Sequence, residues 1–165
     1  MNDYIAIQDL ITRLLFAVDA LDWAGVRAAF ADEVEVDYTS LFGGSPERLP
    51  ADELVTRWQG MLPGFAATQH QTGPIVVTFD GTDDAVAETY VRAYHYVDGV
   101  PGGTWVVAGR YTIPVRRGAD GWRITGVRLD AIRQEGDVDL AAVAADAVRR
   151  GELRSPGPGR RATPA

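Results

Sequence analysis

Three long stretches of alternating side chains lie between residues 85 and 130 with only short turns between them, and no other feature constrains this chain as much. Ala85 to Val97, Thr104 to Arg116 and Trp122 to Asp130 each follow the two-residue period of a strand. They are joined by VDGVPGG at 97–103 and by Asp120-Gly121. A parallel crossover needs about a dozen residues or more, so connections this short admit only antiparallel neighbours. The chain is therefore committed to an antiparallel meander. Ahead of it, Asp80-Gly81 with Asp83-Asp84 forms a turn. Thr68 to Thr72 and Ile75 to Phe79 flank Gly73-Pro74, which predicts one strand with a break or bulge.

The first half is helical in pattern. Tyr4, Ile7, Leu10, Ile11, Leu14, Leu15, Val18 and Leu21 repeat at the three-and-four spacing of a helix stripe. Ile5 and Phe16 fall off that stripe, on the flank holding Thr12 and Asp19, which predicts a helix covered on two sides with one flank facing something partly polar. Asp22 reads as the N-cap of a short second helix, Trp23 to Phe30. Val34, Val36 and Tyr38 alternate as a short strand, and LFGGSPER at 41–48 reads as a loop. Pro50 opens a third helix, with Asp52 and Glu53 in its first turn, that runs to Met61 and ends at Pro63-Gly64. Asp139 to Arg149 reads as a terminal helix with Gly151 after it. Residues 1–151 are thus expected to form a single domain and 152–165, rich in Pro, Gly and Arg, a loose tail. The order is that of an α+β layer architecture. Helices on the concave side of a bent antiparallel sheet leave a cone-shaped cavity, mostly apolar with a few polar groups.

Composition narrows what such a cavity can do. There is no cysteine, which excludes disulfides, thiol catalysis and Cys-based zinc sites. All 16 basic residues are arginine, which excludes lysine Schiff-base chemistry and a P-loop lysine. A net charge of −7 argues against a nucleic-acid partner. Apolar runs of only a few residues cannot span a bilayer, and Asp3 and Asp9 interrupt what would have to be a signal peptide, so a cytoplasmic protein is expected. Any imidazole chemistry must use His70 or His95, the two histidines.

Asp19 lies in the last turn of the first helix, where the macrodipole disfavours a carboxylate by several tenths of a kcal/mol. It is either a partly exposed helix-end acid or an acid facing the cavity. His95 shares a strand face with Ala87, Thr89, Val91 and Ala93, which suits a pocket wall or an ordinary core histidine equally. His70, in TQHQTGP, is a strand histidine beside a break. Together these three form an acid–base constellation, because an Asp can orient one histidine while a second acts on the other side of a substrate. Tyr38 can polarise a carbonyl or simply be a half-buried aromatic. Two histidines and a carboxylate also compose a facial triad for non-haem iron, although their spacing suits no known iron-holding helix or hairpin pair.

The segments Asp19-Ala-Leu-Asp22-Trp23, Val36-Asp37-Tyr38-Thr39-Ser40, Pro50 to Val55, Thr68-Gln69-His70, the strand ending at His95 and Trp122 to Val127 resemble, in order and spacing, those of scytalone dehydratases. The resemblance spans roughly residues 5–140 and extends to the SnoaL-like, NTF2-like superfamily of cone-shaped α+β barrels. It implies a bent sheet wrapped around N-terminal helices and a cofactor-independent, metal-independent lyase or isomerase for a small cyclic ketone or polyketide-like molecule. It further implies that Asp19 orients His95, that His70 and His95 handle the proton and the leaving hydroxyl, and that Tyr38 holds the carbonyl. Val18, Gly109 and Tyr111 are the substrate contacts it implies, and Phe16 on the helix flank of Asp19 and Val91 on the strand face of His95 are expected to join them. The family's second tyrosine is Val18 here, and its strand Ser and Asn align near Gly109 and Tyr111, which implies a different substrate. Relatives associate through the outer sheet face, so a homodimer or trimer using Tyr90, Arg92 and Tyr94 is expected. A non-catalytic binding protein, a polyketide cyclase, or an epoxide hydrolase drafting Arg110, Arg128 and Asp130 remain as alternatives.

Overall fold

The Asn2 side chain accepts the Tyr4 N–H and starts α1, Asp3–Ala20, in the computed structural model, which describes residues 2–154. One stripe of α1 is buried: Ile7, Ile11, Leu14, Leu15 and Val18 join a core with Val107, Ile113, Val115, Ile124 and Leu129. Each such side chain contributes about 1.5–3 kcal/mol of burial. The expected second covered flank is absent, because Ile5 and Phe16 are 53% and 67% exposed. Leu21 ends the helix in the left-handed region (φ 56°). The chain then reverses directly into α2, Trp23–Ala29, whose N-cap Asp22 accepts the Gly25 N–H.

β1, Phe30–Asp37, is followed by a short helix α3, Thr39–Phe42, and by β2, Glu47–Pro50. The segment 41–48, expected as a loop, thus supplies the end of a helix turn and the start of an edge strand. α4, Ala51–Gln59, leads through a 3-10 turn, Leu62–Gly64, into β3, Ala67–Thr72, and β4, Val76–Asp80. The Gly73-Pro74 break separates β3 from β4, yet both pair with the same edge of β5, Asp84–Tyr96. β6, Thr104–Gly118, and β7, Gly121–Gly136, complete the meander. The sheet order is β2-β1-β7-β6-β5-β3, antiparallel throughout except where β1 runs parallel to β7.

Register shifts at Ala108/Gly109 and Thr112/Val115 bend the sheet around α1. Gly109 is needed there, since a Cβ would lie 2.6 Å from the Asp130 carbonyl oxygen. α5, Leu140–Arg149, packs on the 3-10 turn, where Gly64 leaves no room for a Cβ against the Ala144 backbone. Beyond it Arg154 donates its N–H to Pro63 O at 2.8 Å. The tail expected from residue 152 otherwise falls on 155–165, outside the described residues. Among the described residues no helix is long and apolar enough to cross a membrane.

Candidate functional site

The last turn of α1 lies against β3, and Asp19 takes three hydrogen-bond contacts there. Its Oδ1 accepts from the Thr68 hydroxyl at 3.0 Å and faces His70 Nδ1 at 2.7 Å, while Oδ2 accepts the His70 backbone N–H at 2.8 Å. Thr68 and His70 reach the same carboxylate because they are two apart on one strand. An ionised carboxylate can only accept, so Nδ1 carries the proton and His70 Nε2 is left with a lone pair. The pair is shielded, with side-chain exposures of 9% for His70 and 19% for Asp19.

This corrects the expected pairing of Asp19 with His95. β3 lies beside the end of α1, whereas His95 sits one strand further in, opposite Thr68 in register. The Asp19 side chain therefore meets His70 first. His95 is 6% exposed, stacks on Trp105 at 4.6 Å and packs against Phe65 at 4.9 Å. Its Nδ1 lies 3.3 Å from Trp105 O, so the neutral ring donates to that carbonyl and keeps its Nε2 lone pair. Burial pushes the His95 pKa down to about 4, helped by the neighbouring His70, where pairing with Asp19 would have raised it. The two imidazoles stand edge to face, 6.1 Å apart.

Both histidines open onto a cavity of about 400 Å³ that also takes in Tyr38 and Tyr111. Burial raises the Tyr38 phenol well above its ordinary value and does the same to Tyr111, which in addition feels the Asp19 charge. Both phenols are therefore protonated donors across the physiological range. Apolar walls come from Leu14, Val18, Trp58, Leu62, Val107 and Ile113. Exposed Phe42, Gly43 and Ser45 mark the open end, with Arg57 paired to Glu47 and Glu53.

Asp19, Tyr38, His70 and His95 thus converge, and of the expected contacts Val18 and Tyr111 line the cavity. Phe16 does not, because it lies on the solvent side of α1. Val91 is sealed in the core further along β5, and Gly109 is held against the β7 backbone at the bulge. Arg128 pairs with Asp130, and Arg110 lies beside Asp130 and Glu88, all apart from the cavity wall, so the epoxide-hydrolase arrangement is not assembled. Thr68, Trp105 and Arg154 were missed. Thr68 shares the strand face of His70, and Trp105 is opposite His95 in register, so a strand alignment would have found both. Arg154 carried no signal within a Pro/Gly/Arg-rich terminus. Among the described residues no three His, Cys, Asp or Glu side chains are grouped to hold a metal ion.

A family model described as a SnoaL-like domain matches residues 1–128. A scytalone dehydratase-like protein of Claviceps purpurea (strain 20.1) is 30% identical over 101 residues, 57% of this chain and 61% of that protein, so the match spans less than two thirds of that relative's length. The solved Kfla4162 protein from Kribbella flavida is 30% identical with a TM-score of 0.78, over 82% of this chain and 94% of that one. A putative aromatic ring hydroxylase from Novosphingobium aromaticivorans is 27% identical with a TM-score of 0.73, over 84% and 96%. A putative scytalone dehydratase from the same bacterium shares the fold at 19% identity, TM-score 0.68, over 96% and 93%.

Proposed function

The chain belongs to the SnoaL-like family, with an NTF2-like fold, and from that premise we propose that it is a cofactor-independent lyase of the dehydratase type acting on a small cyclic hydroxy-ketone. The Asp19–His70 pair on the cavity wall carries this reading. Asp19 fixes the tautomer of His70, so Nε2 can take the proton α to a carbonyl, the electrons of that C–H bond passing to the carbonyl oxygen as an enolate. Tyr38 and Tyr111 donate to the developing oxyanion. Collapse of the enolate breaks the β C–O bond, and the proton held by His70 leaves with the hydroxyl as water. The product is a conjugated enone.

His95 takes a different part from the one the resemblance implied. With a pKa of about 4 it is not a reservoir of imidazolium near neutral pH, so it serves as an acceptor that orients the substrate hydroxyl. The scytalone dehydratase-like relative supports the reaction class, and Val18 on the cavity wall, where the family carries a tyrosine, supports a different substrate. We extend the proposal to self-association through the outer sheet face, where Tyr90 is 68% exposed beside Arg92 and Tyr94. The molar mass in solution tests that extension.

Screening cyclic β-hydroxy-ketones by ultraviolet absorbance tests the chemistry, because conjugation appears on elimination. The expected result is turnover that survives chelator and is lost in His70→Ala. Tight binding without turnover across the panel would move the protein to the binding class.

A further inference from the structure

A second row of contacts reaches Asp19 from outside the cavity. After α5 the chain turns at Gly151 (φ 75°) and comes back to the 3-10 turn, held by the Arg154 N–H on Pro63 O at 2.8 Å. The Arg154 side chain then lies over β3, where Nη2 donates to Thr68 Oγ1 at 3.0 Å. The same hydroxyl lies 3.0 Å from Asp19 Oδ1. A guanidinium has no acceptor and a hydroxyl has one proton. Thr68 must therefore accept from Arg154 and give its own proton to Asp19, which makes the row directional.

We propose that Arg154 is a positioning residue for the proton-moving pair: through Thr68 it holds the Asp19 carboxylate in line with His70, and its positive charge opposes a second one on the His70 ring. The proposal rests on reading Asp19–His70 as that pair. Thr68 is 7% exposed, so its hydroxyl has little water to replace either partner. The Arg154 charge is felt on both sides of the network: burial lowers its own pKa while Asp19 holds it up, and it helps keep His95 neutral. The other titratable groups around His70 are Asp19 from α1, His95 from β5, Tyr111 from β6 and Tyr38 after β1. The phenols stay neutral, and Arg57 is engaged by Glu47 and Glu53 at the open end. Among the described residues Arg154 is thus the cation joined to the Asp19 network by hydrogen bonds.

An NMR titration of His70 in the full chain tests this without any substrate. A positive charge opposes imidazolium, so in Arg154→Gln the His70 pKa should rise by roughly 0.5–1 pH unit, and Arg154→Lys should return it close to the wild-type value. Arg154→Met, with similar length and no charge, should repeat the rise and covers the case in which glutamine disturbs the fold. On a turned-over substrate the acidic limb of kcat/KM, which reports the free enzyme, should move by the same amount. A His70 titration unchanged in both Gln and Met variants, or equal shifts in Lys and Gln variants, would overturn the proposal and leave Arg154 as a latch for the terminal segment. Failure to find any substrate would instead count against the lyase reading, whatever the titration gives.

Discussion

Asp19 occupies a position that a helix disfavours, and the local contacts explain why it stays. The macrodipole penalty at a helix C-terminus is about 0.3–1 kcal/mol. Against it stand hydrogen bonds from Thr68, the His70 backbone and the His70 ring, each worth about 1.5–3 kcal/mol when the acceptor is charged. On the proposed lyase reading the charge of Asp19, and not merely its shape, is needed. In Asp19→Asn the amide can present its NH2 to Nδ1, which moves the proton to Nε2 and removes the base. We expect kcat to fall roughly 10⁴-fold, by analogy with the Asp→Asn change in a serine-protease triad, with the fold intact. Nitrogen chemical shifts of His70 report the tautomer directly, and an unchanged tautomer would contradict the role given to Asp19. The two phenols divide a second task. Tyr38→Phe or Tyr111→Phe should each lower kcat roughly 10²-fold, because one donor to the enolate is lost while the other remains. A change confined to KM would mean that the phenols only bind the ground state.

Elements decide which of these residues meet. The α1 stripe, the Asp22 cap and the meander were legible because period and turn chemistry are local properties. So was the set Asp19, Tyr38, His70 and His95, since an acid in an unfavourable helix turn and the two histidines stand out against their surroundings. Which histidine Asp19 meets was not legible, because it depends on β3 and not β5 lying beside the end of α1. The parallel β1–β7 pair was hidden for the same reason, being a contact between the first and last strands. Phe16 departs from its expected place because two apolar residues on a helix flank do not suffice to cover that flank. At Gly109 the family resemblance implies a substrate contact, whereas its lack of a Cβ serves the bulge. Gly109→Ala should therefore cost about 1–3 kcal/mol of stability, the usual range for forcing a methyl group into packed structure. Urea unfolding should show a lower midpoint with an unchanged m-value. A wild-type midpoint with altered substrate affinity would return Gly109 to the cavity wall.

At the scale of the whole molecule the buried histidine has a thermodynamic consequence that requires no substrate. His95 titrates near 4 in the folded protein because burial dominates, and near its ordinary 6.5 once the chain unfolds. Between those values the unfolded state binds more protons than the folded one, so stability rises with pH across the window and is lost as pH falls through it. A displacement of about 2.5 units corresponds to roughly 3 kcal/mol, a sizeable part of the 5–15 kcal/mol that holds an ordinary domain together. The carboxylates held low by arginine or hydroxyl partners, Asp3 and Asp37 among them, begin to matter only below about pH 4, so the two contributions fall in different windows. Denaturant unfolding measured from pH 7 to pH 4 should show the loss in the wild-type protein. A His95→Phe variant, which keeps an aromatic ring against Trp105 and Phe65, should flatten that slope. An equally steep fall in the variant would place the acid sensitivity on other groups and would mean that His95 accepts a proton in the fold more readily than its burial implies.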